Sequence, residues 1–159
     1  MNDLSVNTAV WNYFIYFVIA SLLPWIAGAV MAWKGKRKYA LALTAAGALV
    51  FFCYITVLWV DLSRPPLKTM GETRLWYSLF LQLSGLIVYF RWRYKWILSY
   101  STVLSIIFIA VNVFKPGIHS KALMPALQSP WFAPHVIVYM FAYALLGAAA
   151  VVAVYMLFF

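Results

Sequence analysis

The chain holds two histidines, and a single stretch carries both. His119 lies in Lys115-Pro-Gly-Ile-His119-Ser-Lys121, and His135 closes Leu123-Met-Pro-Ala-Leu-Gln-Ser-Pro-Trp-Phe-Ala-Pro-His135. His135 opens a long apolar run, so its imidazole stands at a membrane lip, where it must be hydrogen-bonded, wetted or liganded. Steps of four along a helix set Tyr139 and Tyr143 below it on the same face, with Trp131 and Phe132 just ahead of it. Arg64, Lys68, Arg74, Lys115 and Lys121 are the cations of the neighbouring segments. One ligand suits that set: haem takes an axial imidazole, flat apolar contacts for its ring, and Arg or Lys for its propionates. The plainer alternative makes His135 an interfacial residue bonded to a backbone carbonyl, with the aromatics as belt residues. On spacing alone the plainer one is the commoner arrangement. His119 reads as a solvated loop histidine, with a second axial ligand as the alternative. Asp61 and Glu72 flank another loop, and solvated charges are the default for them over paired acid–base work.

Other chemistry finds little footing. The chain shows no phosphate-cradling glycine pattern, zinc-ligand spacing, serine or cysteine nucleophile motif, or internal repeat. A lone Cys53 inside an apolar run excludes an internal disulfide. Arg91-Trp-Arg-Tyr-Lys-Trp96 interleaves basic and aromatic residues, but beside a membrane helix it reads as an interface anchor, so no nucleic-acid partner is expected.

The elements that must position these residues follow from composition. The 159 residues are 67% hydrophobic and 9% charged, too apolar for a soluble domain of this length. Apolar runs predict an all-α membrane bundle of about five transmembrane helices forming one membrane domain over residues 1–159. The spans are about 10–33, 40–60, 73–90, 97–114 and 135–159. Residues 75–90 are short for a bilayer, so that helix is expected to begin earlier, near Glu72. Pro24 should kink the first span. Gln82 and Asn112 inside spans read as interhelical hydrogen-bonding residues. No positive segment precedes the first span, so a cleaved signal peptide is not expected.

The net charge of +9 sits in short clusters between the spans. Lys34, Lys36, Arg37 and Lys38 fill one loop and Arg91, Arg93 and Lys95 another, while Asp3, Asp61 and Glu72 all fall in the opposite segments. The positive-inside rule then puts the N-terminus outside and the C-terminus inside. Loops 61–74 and 115–134 face outward, and His135 begins the last span on the outer face. Ser129-Pro130 is a helix-start pair, with Pro134 doing the same for the final helix and leaving His135 in its first turn. Gly147 and Ala148 to Ala150 offer a smooth stretch for a neighbouring helix.

Leu123-Met-Pro-Ala-Leu-Gln-Ser-Pro-Trp131, then His135-Val and Tyr143-Ala-Leu-Leu146, resembles the outer loop and helix start of the CcsA/ResC family of cytochrome c biogenesis proteins. Ser63-Arg-Pro-Pro66 through Glu72 is similar to that family's first outer loop, although Met70-Gly71 replaces its usual tyrosine. The resemblance implies haem export in a system II-type complex of the bacterial cytoplasmic (inner) membrane, with haem b as transient substrate and a site facing the periplasm. It makes His135 an axial ligand through haem iron. Trp131, Tyr139, Arg64 and Arg74 are the accompanying contacts. The implied partners are a CcsB/ResB-like subunit, apocytochrome c and the lipid bilayer.

The family's tryptophan-rich haem-binding segment, second external histidine and membrane histidine have no counterpart here, so the resemblance covers mainly residues 61–146. A second membrane chain is expected to carry that half, and the last helix, ending on Phe158-Phe159 without a basic anchor, agrees with a split or shortened member. The family acts as a haem lyase, whereas this chain is not expected to ligate haem alone. Rival readings are a scaffold subunit without haem, a small-solute transporter subunit, and an electron-transfer subunit; the last wants two histidines deep in the helices.

Overall fold

Thr69 and Glu72 start the helix around which the others gather. In the computed structural model, which describes residues 3–63, 65–67, 69–115 and 129–159, Glu72 N donates to Thr69 Oγ1 at 3.2 Å. Thr69 N in turn donates to Glu72 Oε2 at 3.1 Å. This reciprocal capping box satisfies two amides that a helix start leaves without partners. It launches a helix over Met70–Trp92, somewhat earlier than apolar periodicity alone places it.

Five helices make up the described residues, with no strand among them: α1 (Asp3–Trp33), α2 (Arg37–Leu62), α3 (Met70–Trp92), α4 (Lys95–Phe114) and α5 (Phe132–Phe158). The expected all-helical membrane bundle is what forms. Four helices, all but α3, are long and apolar enough to cross a bilayer by length and composition. The 23 residues of α3 rise about 35 Å, which is also sufficient length. Its weaker hydropathy has a structural reason. It packs against α2, α4 and α5, so Ser78, Gln82 and Ser84 are buried against protein and not turned to lipid. Pro24 lies inside α1, which remains a single helix.

Small residues set where the helices approach. A Cβ at Gly47 would stand 2.6 Å from the Trp25 ring, so α1 and α2 meet indole to backbone. Phe14 and Phe17 hold Tyr54 between them at 5.4 and 5.2 Å between ring centroids. The α3–α4 interface carries hydrogen bonds at three levels along its length. Asn112 Nδ2 donates to Gly71 O at 3.1 Å, Ser105 Oγ to Ser78 O at 3.0 Å, and Gln82 Nε2 to Thr102 Oγ1 at 3.2 Å. Gln82 and Asn112 thus hold helices together, as expected of amides inside a bilayer. A fourth hydrogen bond between helices, from Trp33 Nε1 to Ser99 Oγ at 2.9 Å, ties α1 to α4.

The last helix sits at the edge. It packs chiefly on α3, in parallel with it: Phe141 meets Phe80 edge-on near one end, and Tyr155 meets Tyr94 near the other. Met140, Ala144 and Ala148, four residues apart, form its buried stripe. The close approach therefore runs through alanines, and Gly147 was not needed for it; a Cβ there would meet nothing within 4 Å. The α1–α2 and α3–α4 turns, where Gly35 and Arg93 take positive φ, lie together at one end of the bundle and carry the basic clusters. The α2–α3 connection and the start of α5 share the other end.

Candidate functional site

The start of α5 is a turn followed by one helix, not two successive starts. Phe132 N donates to Ser129 O at 3.0 Å and Trp131 N to Ser129 Oγ at 3.4 Å, so Ser129 closes the turn. The helix begins at Phe132 with Trp131 at the capping position and no side-chain cap. This corrects the expectation of one start at Ser129-Pro130 and a second at Pro134. Pro134 is accommodated in the first turn because amides there have no intrahelical acceptor to lose. His135 N then donates to Trp131 O at 3.4 Å, and His135 is in the first turn, as expected.

Around that histidine the geometry is open. His135 is exposed, and its ring meets Tyr139 edge-on with centroids 4.5 Å apart. Tyr139 in turn lies 5.8 Å from Tyr143, giving a ladder of three rings down one face. That face is turned away from Met140, Ala144 and Ala148, which bury against the bundle. The imidazole has no hydrogen-bond partner among the described residues, so the carbonyl bond of the plainer reading is not formed there. Trp131, at the lip, is 81% exposed.

Arg74 stands on α3 near the same end of the bundle. It is half-buried, and its Nη1 is buried without an acceptor. A guanidinium nitrogen without an acceptor among the described residues is costly to bury. Arg64, the other cation expected at the site, lies outside the described residues, as do Lys68, His119 and Lys121. Lys115 is exposed at the end of α4.

Glu72 departs from its expected role. It is 1% exposed, and its carboxylate accepts from the Thr69 amide within the capping box, so it is an internal brace and no solvated loop charge. Asp61 is exposed, as expected, but it lies in the last turn of α2 and not in the loop. Two further braces escaped the sequence reading: Trp76 Nε1 donates to Pro66 O at 3.1 Å, and Leu67 is 1% exposed. Together with Asn112 on Gly71 O, they fix the α2–α3 connection to the bundle. Thr69-x-x-Glu72 is itself a helix-start signature and could have announced the box. Among the described residues no group of three or more His, Cys, Asp and Glu side chains could hold a bare metal ion.

A family model described as Cytochrome C assembly protein matches residues 68–159, more than half of the chain. The chain belongs to the cytochrome c assembly protein family. The match takes in α3, α4 and α5, and with them Arg74, Trp131, His135 and Tyr139. Ser63-Arg-Pro-Pro66, which entered the resemblance read from sequence, lies ahead of it. As a cytochrome c assembly protein this chain is an integral membrane protein of cytochrome c biogenesis, a process that handles haem among membrane partners. No curated protein and no solved structure matches it.

Proposed function

We propose that this cytochrome c assembly protein holds haem at the Thr69/His135 end of the bundle, with His135 as an axial ligand to iron. The observation that carries the reading is the exposed imidazole, without a hydrogen-bond partner among the described residues, above Tyr139 and Tyr143 inside the family match. A free imidazole nitrogen is what an iron needs, and Tyr139 fixes the ring's tilt from one side. Trp131 offers an exposed indole for the macrocycle, and Arg74 a guanidinium nitrogen for a propionate. Arg64 joins that charge in the proposal.

In this reading the N-terminus is outside, the site faces the periplasmic side of a bacterial cytoplasmic membrane, and haem b is a transient substrate of a system II-type complex. A tryptophan-rich segment and a second histidine come from a partner chain, and a CcsB/ResB-like subunit and apocytochrome c are the further partners. The chain's own contribution is positioning: it holds the haem in place while vinyl groups meet cysteine thiols presented by the apocytochrome.

The test is an absorption spectrum, oxidised and dithionite-reduced, of the purified complex carrying the wild-type chain, His135→Ala or Arg74→Gln. A Soret band that moves or disappears in His135→Ala, and that weakens without moving in Arg74→Gln, is the expected pair of results. Identical spectra for wild type and His135→Ala would leave the protein as a scaffold subunit and His135 as an interfacial residue.

A further inference from the structure

The opposite end of the bundle carries a second feature, independent of the haem reading. Where α3 gives way to α4, a groove of about 440 Å³ opens between Val88, Trp92 and Tyr94 on one wall and Ala149, Val152 and Met156 of α5 on the other. The volume is in the range of small-molecule sites, and the walls are almost entirely apolar. The groove exists because α5 narrows to alanine there: Ala148 buries, while Ala149 and Ala153 leave space beside the larger α3 residues.

Its mouth is charged. The Arg91 guanidinium stands 5.8 Å from the centre of the Trp92 ring, and Trp92 lines the groove. Arg93 takes a left-handed backbone between the two lining residues Trp92 and Tyr94. Arg91, Arg93 and the neighbouring Lys95 are all exposed. Both acidic side chains within the described helices beyond α1, Asp61 and Glu72, belong to the other end. Arg37, by contrast, is already engaged, donating to Phe90 O at 2.7 Å. One neutral donor is also unspent. Trp96 packs against Tyr94 and Tyr155 at 6.3 and 5.1 Å, and its Nε1 is buried without an acceptor.

We propose that this groove is a binding site for an anionic phospholipid, an acyl chain lying between α3 and α5 and the headgroup phosphate meeting Arg91 and Arg93. An apolar slot ending in cations, at the depth where a helix leaves the bilayer, has the polarity order of such a lipid from tail to head. A transmembrane helix of another protein would fill the apolar part but leave both guanidinium groups without a counter-charge. A zwitterionic lipid fills the slot and brings its own cation to the same mouth. The lipid would fill the gap that Ala149 and Ala153 leave between the α3 and α5 contacts on either side of it.

The experiment uses the purified full chain in phosphatidylcholine nanodiscs doped with phosphatidylglycerol, with retained lipid counted by native mass spectrometry. Wild type should keep one phosphatidylglycerol in preference to phosphatidylcholine. Arg91→Gln with Arg93→Gln should weaken that retention about 30-fold, the effect of two surface cations. Ala149→Trp, which fills the slot, should remove it, and Lys34→Gln with Lys36→Gln should leave it intact. Equal retention of the two lipids overturns the proposal. So does equal weakening by the Lys34 and Lys36 pair, which would mean diffuse surface charge, or retention that survives both the arginine pair and Ala149→Trp.

Discussion

Replacing Gly85 by alanine adds a methyl group where α3 and α4 touch, and its effect can be worked from the contacts. The new Cβ would collide with Ser101 Oγ and lie 2.7 Å from Ser101 Cβ. Rotation can carry Oγ away, at the expense of its 2.9 Å bond to Ile97 O, but Cβ is fixed to the backbone. The helices must therefore part by several tenths of an ångström. Overpacking of this kind costs about 1–3 kcal/mol, and a clash with a backbone-fixed atom belongs in the upper half of that range. Alanine returns about 1 kcal/mol of helix propensity over glycine. The net expectation is a loss of about 1–2 kcal/mol, with Gln82–Thr102, close by along the seam, loosened as well. Ser101→Gly removes the colliding atoms. Gly85→Ala in that background should keep only its gain in helix propensity, giving a coupling of about 2–3 kcal/mol in a double-mutant cycle. Thermal unfolding in detergent, followed by size-exclusion recovery of the four variants, reads both quantities. A Gly85→Ala protein as stable as wild type, or additive single effects, would refute the close α3–α4 approach.

Thr69→Ala should cost about 1 kcal/mol through loss of the α3 cap, and Glu72→Ala at least as much because its site is buried; melting temperatures compare the two. Trp76→Phe keeps the ring but leaves Pro66 O without its indole donor, so a loss of about 1 kcal/mol and faster proteolysis at the α2–α3 connection are expected in limited digestion. Orientation is testable with single cysteines in a Cys53→Ser background. A membrane-impermeant maleimide should label Ser129→Cys and spare Lys36→Cys in intact cells, and the reverse pattern would put the His135 end in the cytoplasm.

Helix number and order were legible because each span is a long apolar run separated by charge or proline, and a bilayer leaves few alternatives for such runs. The boundaries were less so. The apolar pattern of α3 gives out before its helix does, because its first turn is held by a polar device, the Thr69–Glu72 box, which hydrophobicity cannot register. For the same reason Glu72 read as a loop charge: burial of a carboxylate depends on amides and neighbours that only the fold brings to it. At α5 the sequence offered two proline-marked starts, and the turn through Ser129 merged them into one.

At the site itself the periodicity of four was enough to place His135, Tyr139 and Tyr143 on one face, and the rings do meet in that order, edge-on and then tilted. What spacing could not tell was which way that face points. A histidine at a lip can turn inward and bond a carbonyl, or outward and keep its nitrogens free. The outcome depends on which residues of α5 are small enough to bury against α3, and Ala144 and Ala148 are those residues. Because they and Met140 define the inner stripe, the histidine and tyrosines are forced to the outer side. The same stripe leaves most of α5 uncovered by the other described residues. An imidazole on such a face is reached from beside the bundle, so a ligand on His135 would lie between α5 and whatever stands next to it. Haem held there would be shared with a neighbour from the outset, which favours a site completed by a partner over one closed within this chain.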